Sequence, residues 1–210
     1  MTSRVFLAGE GPNELGGWFK ESPWRPPADR SPVEPGVLET LLRRIQPEGW
    51  EIVDAVPWKN IRKFRVGGHK HADTRNVLAL ILTAKEKGCD VVVFTRDRDK
   101  EQAREKAIHE GILQAEKEIQ DAPRVAGGVA IEETESWILA LAGRARSQQM
   151  GEEQRKSALA ELGVGEKSTT DMVRIIEKEG LGRIPRDAES LQTWLERVRK
   201  VLSTVSVEEP

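Results

Sequence analysis

The chain has 210 residues, 38% hydrophobic and 32% charged, with a formal net charge of -2. That length carries one sizeable domain, or a domain with a small helical appendage, and the composition is globular rather than disordered. The near-neutral total excludes a uniformly basic nucleic-acid binder, and the single cysteine, Cys89, excludes an internal disulfide and any cysteine-based zinc site.

The chain opens on Val5-Phe6-Leu7-Ala8, a continuous apolar run that predicts a strand covered on both faces. The run is too short for a signal-peptide core. The acidic turn Gly9-Glu10-Gly11-Pro12-Asn13-Glu14 follows it directly. Glu21 to Gly36 holds Pro23, Pro26, Pro27, Pro32 and Pro35, which predicts an irregular loop beside the first strand's end. Val37, Leu38, Leu41, Leu42 and Ile45 recur at helical spacing. Trp50 to Val56 alternates and predicts a strand nearer an edge. A helix is expected from about Asp73, a suitable N-cap, to Lys87, with Gly88 as its stop.

Cys89 reads as a small core residue leading into Val91-Val92-Val93-Phe94, a second buried strand. Thr95-Arg96-Asp97-Arg98-Asp99 follows, then a long charged helix over roughly Lys100 to Ile119. Val125 to Ile131, with its Gly127-Gly128 pair, predicts a further strand. Helices are expected at Glu135 to Ala145, Glu152 to Leu162, Thr170 to Glu179 and Asp187 to Leu202. No run approaches the roughly 20 apolar residues of a membrane helix, so no membrane association and a cytoplasmic location are the expectation.

The order βαβαβαβ implies an α/β fold: a mainly parallel four-stranded, Rossmann-like sheet flanked by helices, with a helical C-terminal region. The expected division is residues 1–146 for the α/β domain and 147–210 for a helical extension packed on it.

In open parallel sheets, sites form beyond the carboxyl ends of the strands. Glu10 lies beyond the first strand, and Asp97 and Asp99 lie beyond Val91 to Phe94. If those strands are neighbours, the three carboxylates converge and repel one another, so a cation is required. Mg²⁺ or Mn²⁺ suits hard oxygen ligands and would leave room for water and phosphate. The competing reading makes Asp99 an N-cap of the long helix and pairs Asp97 with Arg96 or Arg98. Glu14 is a further candidate ligand, or the residue that opens a helix.

These motifs resemble the Toprim domain of topoisomerases, primases and related nucleases. The likeness is strongest to overcoming-lysogenization-defect nucleases and to small stand-alone bacterial Toprim-like proteins of uncharacterised function. It covers roughly Arg4 to Arg144. It implies a Toprim-like sheet and a Mg²⁺-dependent nuclease or nucleic-acid-processing protein acting on phosphodiesters. By the resemblance Glu10 is a general acid/base or metal ligand, Asp97 and Asp99 hold the metal, and Glu135, two residues before Trp137, is a fourth ligand. Acidic residues at Glu132, Glu133 and Glu135 also suit a first helical turn. The spacing from Glu10 to Asp97 is long for a minimal Toprim domain and implies an insertion. The chain has no Tyr, which excludes strand transfer through a tyrosine.

Lys59, Arg62, Lys63, Arg65, Lys70 and Arg75, interleaved with Trp58 and Phe64, form a locally basic segment suited to the phosphates and bases of DNA or RNA. The same residues also suit a solvated loop. His69-Lys70-His71-Ala72-Asp73 matches a His-x-His-x-Asp metal motif, for which only His109 remains as a further histidine. Two other functions fit the acidic pair: a nucleotide-sugar transferase that holds a diphosphate through its metal, and a non-catalytic protein that binds a protein partner. The transferase leaves the Gly9–Glu14 turn unexplained.

Overall fold

The computed structural model describes residues 2–19, 34–61, 71–99, 101–166 and 168–203. Four strands, β1 (Ser3–Gly9), β2 (Trp50–Pro57), β3 (Val91–Asp97) and β4 (Arg124–Ala130), form one parallel sheet in the order β2-β1-β3-β4. The helices are α1 (Pro12–Leu15), α2 (Val37–Ile45), α3 (Ala72–Glu86), α4 (Ala103–Glu118), α5 (Thr134–Leu141), α6 (Glu152–Glu161), α7 (Thr169–Glu179) and α8 (Glu189–Ser203). The expected α/β fold with a helical C-terminal region is therefore present, and the alternating segment is an edge strand.

Period-two alternation of each strand feeds two apolar layers. Val5, Leu7, Val91 and Val93 pack with α2, α5, α7 and α8 on one face. Phe6, Ala8, Val92 and Phe94 pack with α3 and α4 on the other. The C-terminal helices thus cover one face of the sheet together with α2. Trp194 of α8 donates its Nε1 hydrogen to the Phe94 carbonyl at 3.0 Å, and Arg197 Nη1 donates to the Gly127 carbonyl at 2.6 Å.

The two glycines of β4 answer to opposite faces. A Cβ on Gly127 would stand 2.1 Å from Phe94 Cε1, whereas one on Gly128 would meet Trp194 Cδ1 at 3.3 Å. The strand carries no side chain at either position because a large aromatic crosses it on each side.

Several boundaries differ from the sequence expectation. Asp73 is not the N-cap of α3: His71 caps it, accepting from the Asp73 N–H at 3.2 Å, and Asp73 sits inside the first turn. Asp99 does not cap α4, whose N-cap is Gln102. Asp99 instead has φ 49°, a left-handed conformation that turns the chain sharply off β3. The helix expected over Glu135 to Ala145 already ends at Leu141. Cys89 is buried, as expected, and burial pushes its thiol up to about 11.

Candidate functional site

β1 and β3 are adjacent and parallel, with Ala8 opposite Phe94, so the turns after both strands emerge at one sheet edge. The Glu10 carboxylate reaches across and accepts the Asp97 backbone N–H at 2.9 Å. Gly9 permits this turn: a Cβ there would stand 2.6 Å from Glu14 Cβ. Glu14, 4% exposed, folds back to accept the Gly11 N–H at 2.7 Å and closes the short α1.

Alternation along β3 then separates the charges. Asp97 projects to the face of α1 and α5. Its Oδ1 accepts the Thr134 N–H at 3.1 Å and the Thr134 hydroxyl at 3.3 Å, at the N-terminus of α5. Burial, followed by the charges of Glu14, Glu135 and Asp99, raises the Asp97 carboxyl to about 8, against the lowering effect of Thr134. Glu135 is also raised, by burial first and then by Glu14 and Glu133, while its own backbone N–H and Asn13 oppose the shift. Asn13 Nδ2 donates to Glu135 at 3.2 Å, and Thr169 of α7 donates to Asn13 Oδ1 at 3.0 Å.

Arg96 projects to the opposite face, that of α3 and α4. Its guanidinium pairs with Glu10, lies 3.8 Å from both Asp73 and Asp99, and rests 5.8 Å from the Trp58 ring centroid. Burial and the neighbouring Arg104 lower the proton affinity of Arg96. Arg104 bonds Asp73 at 3.1 Å, Asp99 at 2.8 Å, Glu101 at 2.8 Å, and the Asp97 carbonyl. His71 Nε2 faces Glu101 at 3.1 Å, so both of its ring nitrogens are engaged.

The expected convergence is therefore split. Glu10, Asp97 and Asp99 share the sheet edge, but Glu10 and Asp99 are paired with arginines. Asp97 instead faces Glu14 and Glu135. These three line a cleft of about 770 Å³ together with Glu10, Asn13 and Glu133, and its far wall comes from α6, α7 and the segment between them, including Leu159, Met172 and Val164. Arg155 on that wall is 5% exposed, pairs with Glu133 at 3.3 Å and donates to the Met150 carbonyl at 2.6 Å. Among the described residues, no three Asp, Glu, His or Cys side chains stand as a ready-made metal shell. The donor set nevertheless suits a hard cation. Asp97 and Glu135 repel while partly buried, and Thr95, one pleat before Asp97 on the same face, is fully buried with its hydroxyl unpartnered.

Arg104, Arg155 and Thr134 were missed by sequence reasoning, and the two arginines read as possible partners of Asp97 pair elsewhere, Arg96 with Glu10 and Arg98 with Glu132. The separation of Arg96 from Asp97 was detectable: the two alternate along a strand, so they must face opposite layers. Of the basic segment, Arg62, Lys63, Arg65 and Lys70 lie outside the described residues, as do His69 and most of the proline-rich loop. Lys59 is exposed, 5.3 Å over the Phe19 ring, and Arg75 lies in the first turn of α3. No described helix is long and apolar enough to cross a membrane. No family model, curated protein or solved structure matches the chain.

Proposed function

We propose that this protein is a divalent-metal-dependent phosphodiesterase of the Toprim type that acts on DNA or RNA. The observation that carries the reading is the half-buried Asp97 carboxylate, at the carboxyl edge of a parallel sheet, which with Glu14 and Glu135 lines a cleft large enough for a nucleotide. The resemblance of the Gly9–Glu14 and Asp97–Asp99 motifs to Toprim nucleases supports the same assignment.

Asp97 and Glu135 are the ligands that would hold Mg²⁺ or Mn²⁺. A bound ion would supply positive charge to the phosphate oxygens and lower the pKa of attacking water. Glu10 is oriented by the Asp97 N–H and by Arg96, which suits a carboxylate that accepts a proton from that water. Lys59 and Arg75 flank the same sheet edge, and the basic segment between them would follow the phosphate backbone.

Mg²⁺ or Mn²⁺ should raise the melting temperature, because a ligand of the native state alone stabilises it by mass action. Asp97→Ala should abolish that shift together with cleavage of single- or double-stranded substrates. Glu10→Gln should remove turnover and keep the metal-induced shift. Neutralising Arg62, Lys63 and Arg65 should weaken nucleic-acid binding and reduce its salt dependence. A wild-type protein that neither gains stability with metal nor cleaves any substrate would defeat the enzyme reading. The bonds from Thr134 to Asp97 favour the second reading, a binding protein in which Asp97 only holds α5 in place.

A further inference from the structure

The charges at the sheet edge are divided by β3 in a way the metal reading alone does not require. At the edge of the α3 and α4 face, Asp73, Asp99 and Glu101 each have a guanidinium partner, and Glu10, which also borders the cleft, is held by Arg96. Arg96 serves Glu10 and lies between Asp73 and Asp99. Arg104 bonds Asp73, Asp99 and Glu101. On the cleft face, among the described residues, Asp97, Glu14 and Glu135 have no cationic side chain in ion-pair contact, while the Arg155 guanidinium is directed to Glu133. Their partners there are neutral donors: Thr134, Asn13 and the Gly11 N–H.

We infer that the site takes one divalent ion, on the cleft face at Asp97 and Glu135, and that Arg96 is a resident second cation holding Glu10 and Asp99 out of the ion's shell. The inference rests on the proposed metal reading and goes beyond it by fixing how many ions bind and which acids do not ligate. Arg96 is suited to the task. Its side chain is 15% exposed and is held between the Trp58 ring, Asp73 and Glu10, so displacing it would break three contacts at once. A planar guanidinium bridges two carboxylates, whereas an ammonium acts as a point charge. A second divalent ion at Glu10 and Asp99 would have to compete with a charge already fixed by the fold. Arg96 is thus a positioning residue: it sets the Glu10 carboxylate against the Asp97 N–H and supplies a fixed single charge beside the ion.

The test counts ions on the full chain. Mn²⁺ is titrated with free ion followed by electron paramagnetic resonance, and Mg²⁺ by calorimetry. Wild type should bind one ion. Asp97→Asn should weaken that binding by at least about tenfold, the order seen when even an outer partner of a metal ligand is lost. Glu10→Gln should leave ion affinity within about threefold of wild type, because Glu10 is not a ligand; by mass action that change in affinity is under 1 kcal/mol. Arg96→Gln should expose a second, weaker site, and Arg96→Lys should close it again, since the ammonium still neutralises Glu10. Two ions on the wild-type protein, or loss of the single ion in Glu10→Gln, would overturn the inference and leave the metal reading intact. No ion on the wild type would defeat the metal reading itself. If Arg96→Gln fails to fold, the wild-type count and the Glu10→Gln affinity decide the question alone.

Discussion

Asp97 combines two demands that conflict. Its Oδ1 accepts two hydrogen bonds from Thr134, which favour the charged form, but burial and the charges of Glu14, Glu135 and Asp99 outweigh them and raise the carboxyl to about 8. In the unfolded chain the group has its ordinary value of 3.8. The folded state therefore holds the proton more tightly. The associated stability is complete below the unfolded value and is lost as pH rises through about 8. In the absence of metal, the melting temperature should fall between pH 6 and pH 9, and the fall should be clearly smaller in Asp97→Asn, which stays neutral and keeps an acceptor for Thr134. Thermal melts in chelator at the two pH values check this; equal falls would remove Asp97 as the cause. Adding Mg²⁺ at pH 9 should recover stability in wild type only, because the ion requires the deprotonated ligand.

Among the elements, the strands and most helices were legible because apolar periodicity is a direct consequence of which faces are covered. Val91 to Phe94 and Val37 to Ile45 illustrate it. The capping residues were less legible. Asp73 has the right chemistry for a cap, but Arg104 claims its carboxylate, and His71 takes the cap instead. Tertiary partners of that kind leave no local trace. The division of the acidic trio was partly legible: alternation along β3 separates Arg96 from Asp97, but nothing local announces that Asp99 turns away with positive φ. The Gly127-Gly128 pair was visible as a sequence feature, yet its reason lies in Phe94 and Trp194, far away in the chain. Gly127→Ala forces a Cβ onto the Phe94 ring and should destabilise by at least about 2 kcal/mol, in the range of core overpacking. Gly128→Ala meets Trp194 at 3.3 Å and should cost less. Urea unfolding of the two variants compares them, and the reverse order would sink this account of β4.

At the scale of the whole molecule, residues 147–210 are expected from sequence as a helical extension packed on the α/β domain, and the described helices of that region cover one face of the sheet. α8 buries Leu191, Trp194, Leu195, Val198, Val201 and Leu202 against the sheet face built by Val5, Leu7, Val91 and Val93. At roughly 1.5–3 kcal/mol for each fully buried large apolar side chain, that helix alone contributes on the order of 10 kcal/mol. Domains are stable by only about 5–15 kcal/mol in total, so the sheet face cannot be left uncovered. The same helices also build the site, since α6 and α7, with the segment between them, form the far wall of the cleft and Thr169 ties α7 to Asn13. A chain ending at Arg146 should accordingly lose its cooperative urea transition and its near-ultraviolet circular dichroism, and it should expose apolar surface to a hydrophobic dye. Trp194→Phe in the full chain is the milder probe. It keeps the ring in the core but leaves the Phe94 carbonyl without its indole donor, a loss of about 1–3 kcal/mol if that acceptor stays buried. A truncated chain that unfolds cooperatively with near-native stability would show that the first 146 residues cover their own sheet. The C-terminal helices would then be a separable layer, and their contribution to the cleft would have to be tested by metal binding to the fragment.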